Sequence, residues 1–155
     1  MRIAIQLPLG ATLLLAAATA FAPSVASAAL GGDVASALRD HDELGTSRTV
    51  TSGASYDLYE GRTLDGVELR EYVNRDGRVF AISWRGPRTP NIQALLGESA
   101  ARYLDASRVH AGGHHLLQIS EPDLEIAVLR MPRGWQGHAL LPAALPAGIN
   151  RSELR

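Results

Sequence analysis

Val67-Glu68-Leu69-Arg70-Glu71-Tyr72-Val73-Asn74, then Arg75-Asp76-Gly77, then Arg78-Val79-Phe80-Ala81-Ile82-Ser83-Trp84-Arg85 is the stretch that decides the fold. In the first run Val67, Leu69 and Val73 recur at every second position and share one face, which Glu71 interrupts. In the second, Phe80, Ile82 and Trp84 share a face. A period of two is the signature of strands with one face turned to a core. Asp76-Gly77 between the runs reads as a hairpin, because tight hairpin turns need a residue at positive φ. Asp65-Gly66 repeats the signal one strand earlier, between Val67 and a run from Ser55 to Arg62. These three runs predict an antiparallel meander, with a fourth strand at Arg48 to Ser52.

Working outward, Gly86-Pro87-Arg88-Thr89-Pro90 closes the meander. Thr89 or Asn91 can cap a following helix, and Pro90 suits its first turn. Ile92, Leu95, Leu96, Ser99, Tyr103 and Leu104 give a helical stripe over 91–106, with Gly97 inside it. Leu116 to Ser120, Leu124 to Met131 and Trp135 to Leu141 read as further strands, parted by Glu121-Pro122-Asp123 and Pro132-Arg133-Gly134. Before the meander, Asp33 can cap a short peripheral helix carrying Val34, Ala37 and Leu38. Ala29-Leu30-Gly31-Gly32 reads as a flexible lead, and 142–155 as a Pro-containing tail ordered by docking onto the body. The expected fold is α+β: an antiparallel meander sheet packed against one main helix, forming a single domain over 29–155.

Residues 1–28 read as an address. Met1-Arg2 gives a positive start, an apolar run extends from Leu9 to Ala22, and Ala26-Ser27-Ala28 is a small-residue cleavage signal. The run is shorter than the roughly 20 apolar residues of a bilayer span. The expectation is a cleaved signal peptide, cut after Ala28, and a periplasmic or secreted protein with no membrane span after removal of the signal.

Composition narrows the function. The 155-residue chain has a formal net charge of -1, and all 15 of its basic residues are arginine, interleaved with 16 acids. That balance argues against nucleic-acid binding, which uses a clustered basic face. With no cysteine, disulfides, thiol catalysis, cysteine zinc sites and lipoprotein anchoring are excluded. No cofactor motif is present, and Gly112-Gly113 and Gly31-Gly32 lack the strand–helix context of a phosphate loop.

Several segments together resemble a domain-of-unknown-function family of small exported proteins in Gram-negative bacteria. They are Ala29-Leu30-Gly31-Gly32, Arg70-Glu71-Tyr72-Val73, Gly77, Val79-Phe80-Ala81, Trp84, Gly86-Pro87, Pro90 and Leu95-Leu96-Gly97. Gly137, Leu141-Pro142 and Leu145-Pro146-Ala147-Gly148 extend the likeness toward the C-terminus. The resemblance implies export and supplies no reaction, ligand or site.

Candidate sites are few. His110, His114 and His115 could hold Zn²⁺ or Cu²⁺ with an oxygen from Asp105 or Glu121, or stand solvated on a turn. His41 and His138 are isolated. Ser83 and Ser120 lie in strand patterns with no evident base, and no G-x-S-x-G elbow exists. Glu68 and Glu71 fall on opposite faces of one strand, and Glu121 and Asp123 flank a turn. Tyr56, Tyr59, Tyr72, Phe80 and Trp84 crowd the meander. They are either core, where aromatics supply much of the buried area, or an interaction surface formed by Tyr72 and Trp84 with Arg85 and Arg88 at its rim. The expected function is a non-enzymatic periplasmic accessory or protein-binding module, meeting another envelope or secreted protein through a sheet face or an edge strand. The alternative is a metal-dependent or hydrolytic envelope enzyme centred on the His110–His115 loop.

Overall fold

The computed structural model describes residues 30–43, 47–109 and 116–154. Its elements are α1 (Val34–Glu43), β1 (Ser47–Ser52), β2 (Tyr56–Arg62), β3 (Glu68–Asn74) and β4 (Val79–Gly86), then α2 (Ile92–Leu96) and α3 (Ala100–Val109), then β5 (Leu116–Ser120), β6 (Glu125–Met131) and β7 (Gly134–Leu140). The strands form one seven-stranded antiparallel sheet in the order β1-β2-β3-β4-β7-β6-β5. Two meanders therefore meet where β4 pairs with β7, and α2 and α3 lie in the crossover between them. No helix among the described residues is long and apolar enough to cross a membrane.

Both Asp-Gly signals mark hairpins, but the loops are longer than two residues. At the second, the Gly77 N–H donates to the Asn74 carbonyl and the Asn74 N–H to the Arg78 carbonyl. In these two loops the positive-φ positions are Gly66 (φ 85°) and Gly77 (φ 76°), and among the described residues none but glycine takes positive φ. This is the pattern of a type I turn closed by a left-handed glycine, so the aspartates stay in ordinary backbone space. The Asn74 side-chain oxygen accepts from the Asp76 and Arg78 N–H groups and stiffens the second turn.

The inner face carries the main core. Leu69, Val73, Val79, Ile82, Trp84, Ile126, Val128 and Ala139 pack there against Ala37 of α1 and Ile92, Leu95 and Leu96 of α2. Glu71 lies on this face with 0% exposure, as the alternation with Leu69 and Val73 requires. Phe80 does not share a face with Ile82 and Trp84. The β3–β4 register shifts between Tyr72 and Val73, so Tyr72 pairs with Ala81 while Val73 pairs with Val79. This bulge turns Phe80 to the outer face, where it packs with Tyr72, Ala81, Leu140 and Leu154.

The N-terminal lead is tied down rather than flexible. Leu30 is buried, its N–H donates to the Leu95 carbonyl, and Gly31 and Gly32 bond to Val79. Asp33 caps α1 through the Ser36 N–H, and the burial of Ala37 seats that helix on the core rather than at its periphery. Asn91 caps α2 by accepting from the Ala94 N–H, which leaves Pro90 ahead of the cap. The main helical segment runs to Val109 and is interrupted by a 3-10 turn at Gly97–Ser99. Gly97 takes φ 51°, in the region that favours glycine.

The C-terminal tail docks on the outer face. Ala144, Leu145, Ile149 and Leu154 cover Tyr72, Phe80 and Leu140, the Asn74 amide donates to the Ala144 carbonyl, and Arg151 pairs with Glu125 of β6.

Candidate functional site

The tail covers only part of the outer face. Beyond it the alternating side chains of the central strands are polar, and the register aligns them in two rows. Glu60 of β2 pairs with Arg70 of β3, Arg70 with Ser83 of β4, and Ser83 with His138 of β7. One pair further along each strand, Arg62 stands opposite Glu68, Glu68 opposite Arg85, and Arg85 opposite Gln136. Cross-strand partners lie about 4.5–5.5 Å apart at Cβ, so each row is a line of adjacent polar groups on the sheet.

Between the rows runs a groove of about 210 Å³, lined by Glu68, Arg70, Ser83, Arg85, Gln136 and His138. A second hollow of about 340 Å³ lies beside it, under the end of the tail, with Gln118, Glu125, His138 and Arg151 around Ala81, Ala127 and Leu140. His138 borders both. Ala81 and Ala127 keep the sheet surface low there, and Leu154 and Arg151 form its wall.

The Arg70 Nε donates to Glu60 Oε1 at 2.9 Å, a cross-strand pair half open to water and therefore of modest energy. Ser83, 5% exposed, shares a side-chain hydrogen bond with Tyr72. Burial pushes the Tyr72 phenol above its ordinary value, against the opposing effects of Ser83 and the Arg70 charge. The outer face thus offers guanidinium donors, a carboxylate, an amide and an imidazole at fixed spacing. Such a set can exchange hydrogen bonds with a polar surface.

The four residues considered as an interaction surface divide. Tyr72 and Trp84 are each 2% exposed, so neither presents its ring to a partner; they pack in cores on opposite sides of the sheet. Tyr56, Tyr72 and Phe80 form a cluster of rings with centroids 5.6–6.2 Å apart, and Tyr59 and Trp84 belong to the main core. Arg85 and Arg88 are exposed, and Arg85 lines the groove.

The candidate metal ligands His110, His114 and His115 lie outside the described residues. Among the described residues no group of three or more metal-binding side chains converges. Glu121 and Asp123 hold Arg102 of α3: its two terminal nitrogens donate to the Asp123 carboxylate, each at 2.9 Å, and it also contacts Glu121. This clamp ties the helix to the β5–β6 turn, and hydrogen bonding from Arg102 holds the Asp123 carboxyl below its ordinary value.

His138 is the residue that sequence reasoning passed over. It seemed isolated because its neighbours come from β4 and β6, and only the β4–β7 pairing brings Ser83 opposite it. Glu60 and Gln136 were missed for the same reason.

No curated protein and no solved structure matches the chain. A family model described as "Protein of unknown function (DUF2844)" matches residues 26–154.

Proposed function

The chain belongs to the DUF2844 family, and from that premise we propose that it is an exported, non-enzymatic binding module that meets another envelope or secreted protein through the open part of its outer sheet face. Residues 1–28 direct export in this reading and are removed after Ala28. The support for export is the positive start, the short apolar run and the Ala26-Ser27-Ala28 signal.

The observation that carries the binding reading is the arrangement of the outer face. The same face is apolar and covered where the tail docks, but polar and open over Glu60, Arg62, Glu68, Arg70, Arg85, Gln136 and His138. These side chains project from central strands, which move less than loops, and rigid presentation lowers the entropy lost on binding. Arginine is among the residues enriched where proteins meet.

Affinity capture on the tagged protein from its own envelope fraction tests the reading, run beside an Arg70→Glu/Arg85→Glu variant. A single stoichiometric protein held by the wild type and released by the charge-reversed variant is the expected result. N-terminal sequencing of the same sample reads the cleavage site, with Ala29 expected first. Equal capture by both proteins, or none, contradicts the proposed surface.

A further inference from the structure

We propose that the protein pairs with a second copy of itself through β1, the two strands running antiparallel across a two-fold axis at Val50. β1 is an edge strand, and all six of its residues are exposed. It buries nothing in either core; its ladder to β2 and an ion pair from Arg48 to Asp42 of α1, at 3.9 Å, hold it in place. Its outer edge therefore offers a row of backbone N–H and C=O groups to another strand.

Edge strands are ordinarily guarded by proline, lysine, inward charges or a bulge. β1, Ser47-Arg48-Thr49-Val50-Thr51-Ser52, has no proline, lysine or acid, and its register with β2 is unbroken through all six pairs; its one charge, Arg48, is on the inner face with Val50 and is drawn toward Asp42 of α1. Thr49, Val50 and Thr51 are β-branched and suit a paired strand. The opposite edge differs, because β5 lies beside α3.

The sequence of β1 is complementary to itself. A two-fold axis perpendicular to a sheet sets one residue opposite its own copy and keeps each face on one side. Centred on Val50, it places Val50 against Val50 of the second copy, Thr49 against Thr51, and Arg48 against Ser52. No like charges meet, and threonine–threonine and apolar pairs are favourable across strands. Val50 is the only apolar side chain of β1 and is 47% exposed; this register closes it against itself. Centring on Thr49 would instead set each Arg48 against Val50. The contact is isologous, so it closes at a dimer. It also places both outer faces on one side, with Thr49 and Ser47 carrying the polar rows toward the second copy. This inference goes beyond the envelope-binding reading and does not depend on it.

Sedimentation of the purified protein over a concentration series tests the proposal, with two variants. The wild type is expected to shift from monomer to dimer as concentration rises. Val50→Lys, which sets two ammonium groups on the axis, is expected to stay monomeric with an unchanged circular-dichroism melt. Val50→Cys is expected to form a covalent dimer on mild oxidation, because facing α-carbons about 4.5–5.5 Å apart lie within disulfide reach. The chain has no cysteine of its own, so Leu64→Cys at an exposed turn serves as the control and is expected to stay uncrosslinked. A wild type that is monomeric throughout, a Val50→Lys protein that still dimerises, or a Val50→Cys protein that crosslinks no faster than the control would each overturn it.

Discussion

The benzene half of the Trp84 indole occupies the space that a side chain at residue 137 would need. A β-carbon built on Gly137 would stand 2.2 Å from Trp84 Cζ2 and 2.5 Å from Cε2. Trp84 and Gly137 are direct partners where the two meanders join, so the glycine lets the largest core side chain cross onto the neighbouring strand. Gly137→Ala is predicted to destabilise the fold by about 1–3 kcal/mol through overpacking. Urea unfolding followed by tryptophan fluorescence measures it, and an unchanged midpoint would show that the indole has room to move.

Leu154 is 3% exposed and closes the outer core over Tyr72, Phe80 and Leu140. Leu154→Ala should therefore cost roughly 2–5 kcal/mol, as for other buried leucines. The tail then contributes to stability as part of the domain. A thermal melt that does not distinguish the variant from wild type would show that the tail is an ornament to the sheet.

The Asp123–Arg102 clamp makes a pH-dependent contribution. The folded carboxyl titrates below its ordinary value, so its stabilisation is present above the unfolded pKa and is lost as pH falls through the folded one. The stability difference between wild type and Asp123→Asn should be present at neutral pH and vanish below the ordinary carboxylate range. Because the pair is open to solvent, added salt should also shrink it. Chemical denaturation over a pH series, at low and high salt, reads both effects.

Local patterns made most of the fold legible. Alternation in 67–74 and 78–85 marks strands because the pleat has a period of two, and each Asp-Gly marks a turn because glycine alone accepts the required φ at little strain. What depends on long-range pairing was hidden. The bulge that turns Phe80 outward leaves no local trace, since Val79, Phe80 and Ala81 are all apolar and all buried. The Ser83–His138 neighbourhood and the two polar rows follow from β4 meeting β7, more than fifty residues apart in the chain. Burial of Tyr72 and Trp84 was equally invisible, because an aromatic on a strand has the same spelling in a core as on an interface.

The central claim is that the open outer face is the working surface, and site-specific photocrosslinking in the native envelope tests it most directly. A benzophenone side chain placed at Gln136, in the groove, is expected to crosslink one exported protein, and Arg85→Glu in the same chain is expected to abolish the product. The same probe at Glu98, between the helices α2 and α3, should give none. Equal crosslinking from both positions, or a Gln136 product that survives Arg85→Glu, would contradict the account.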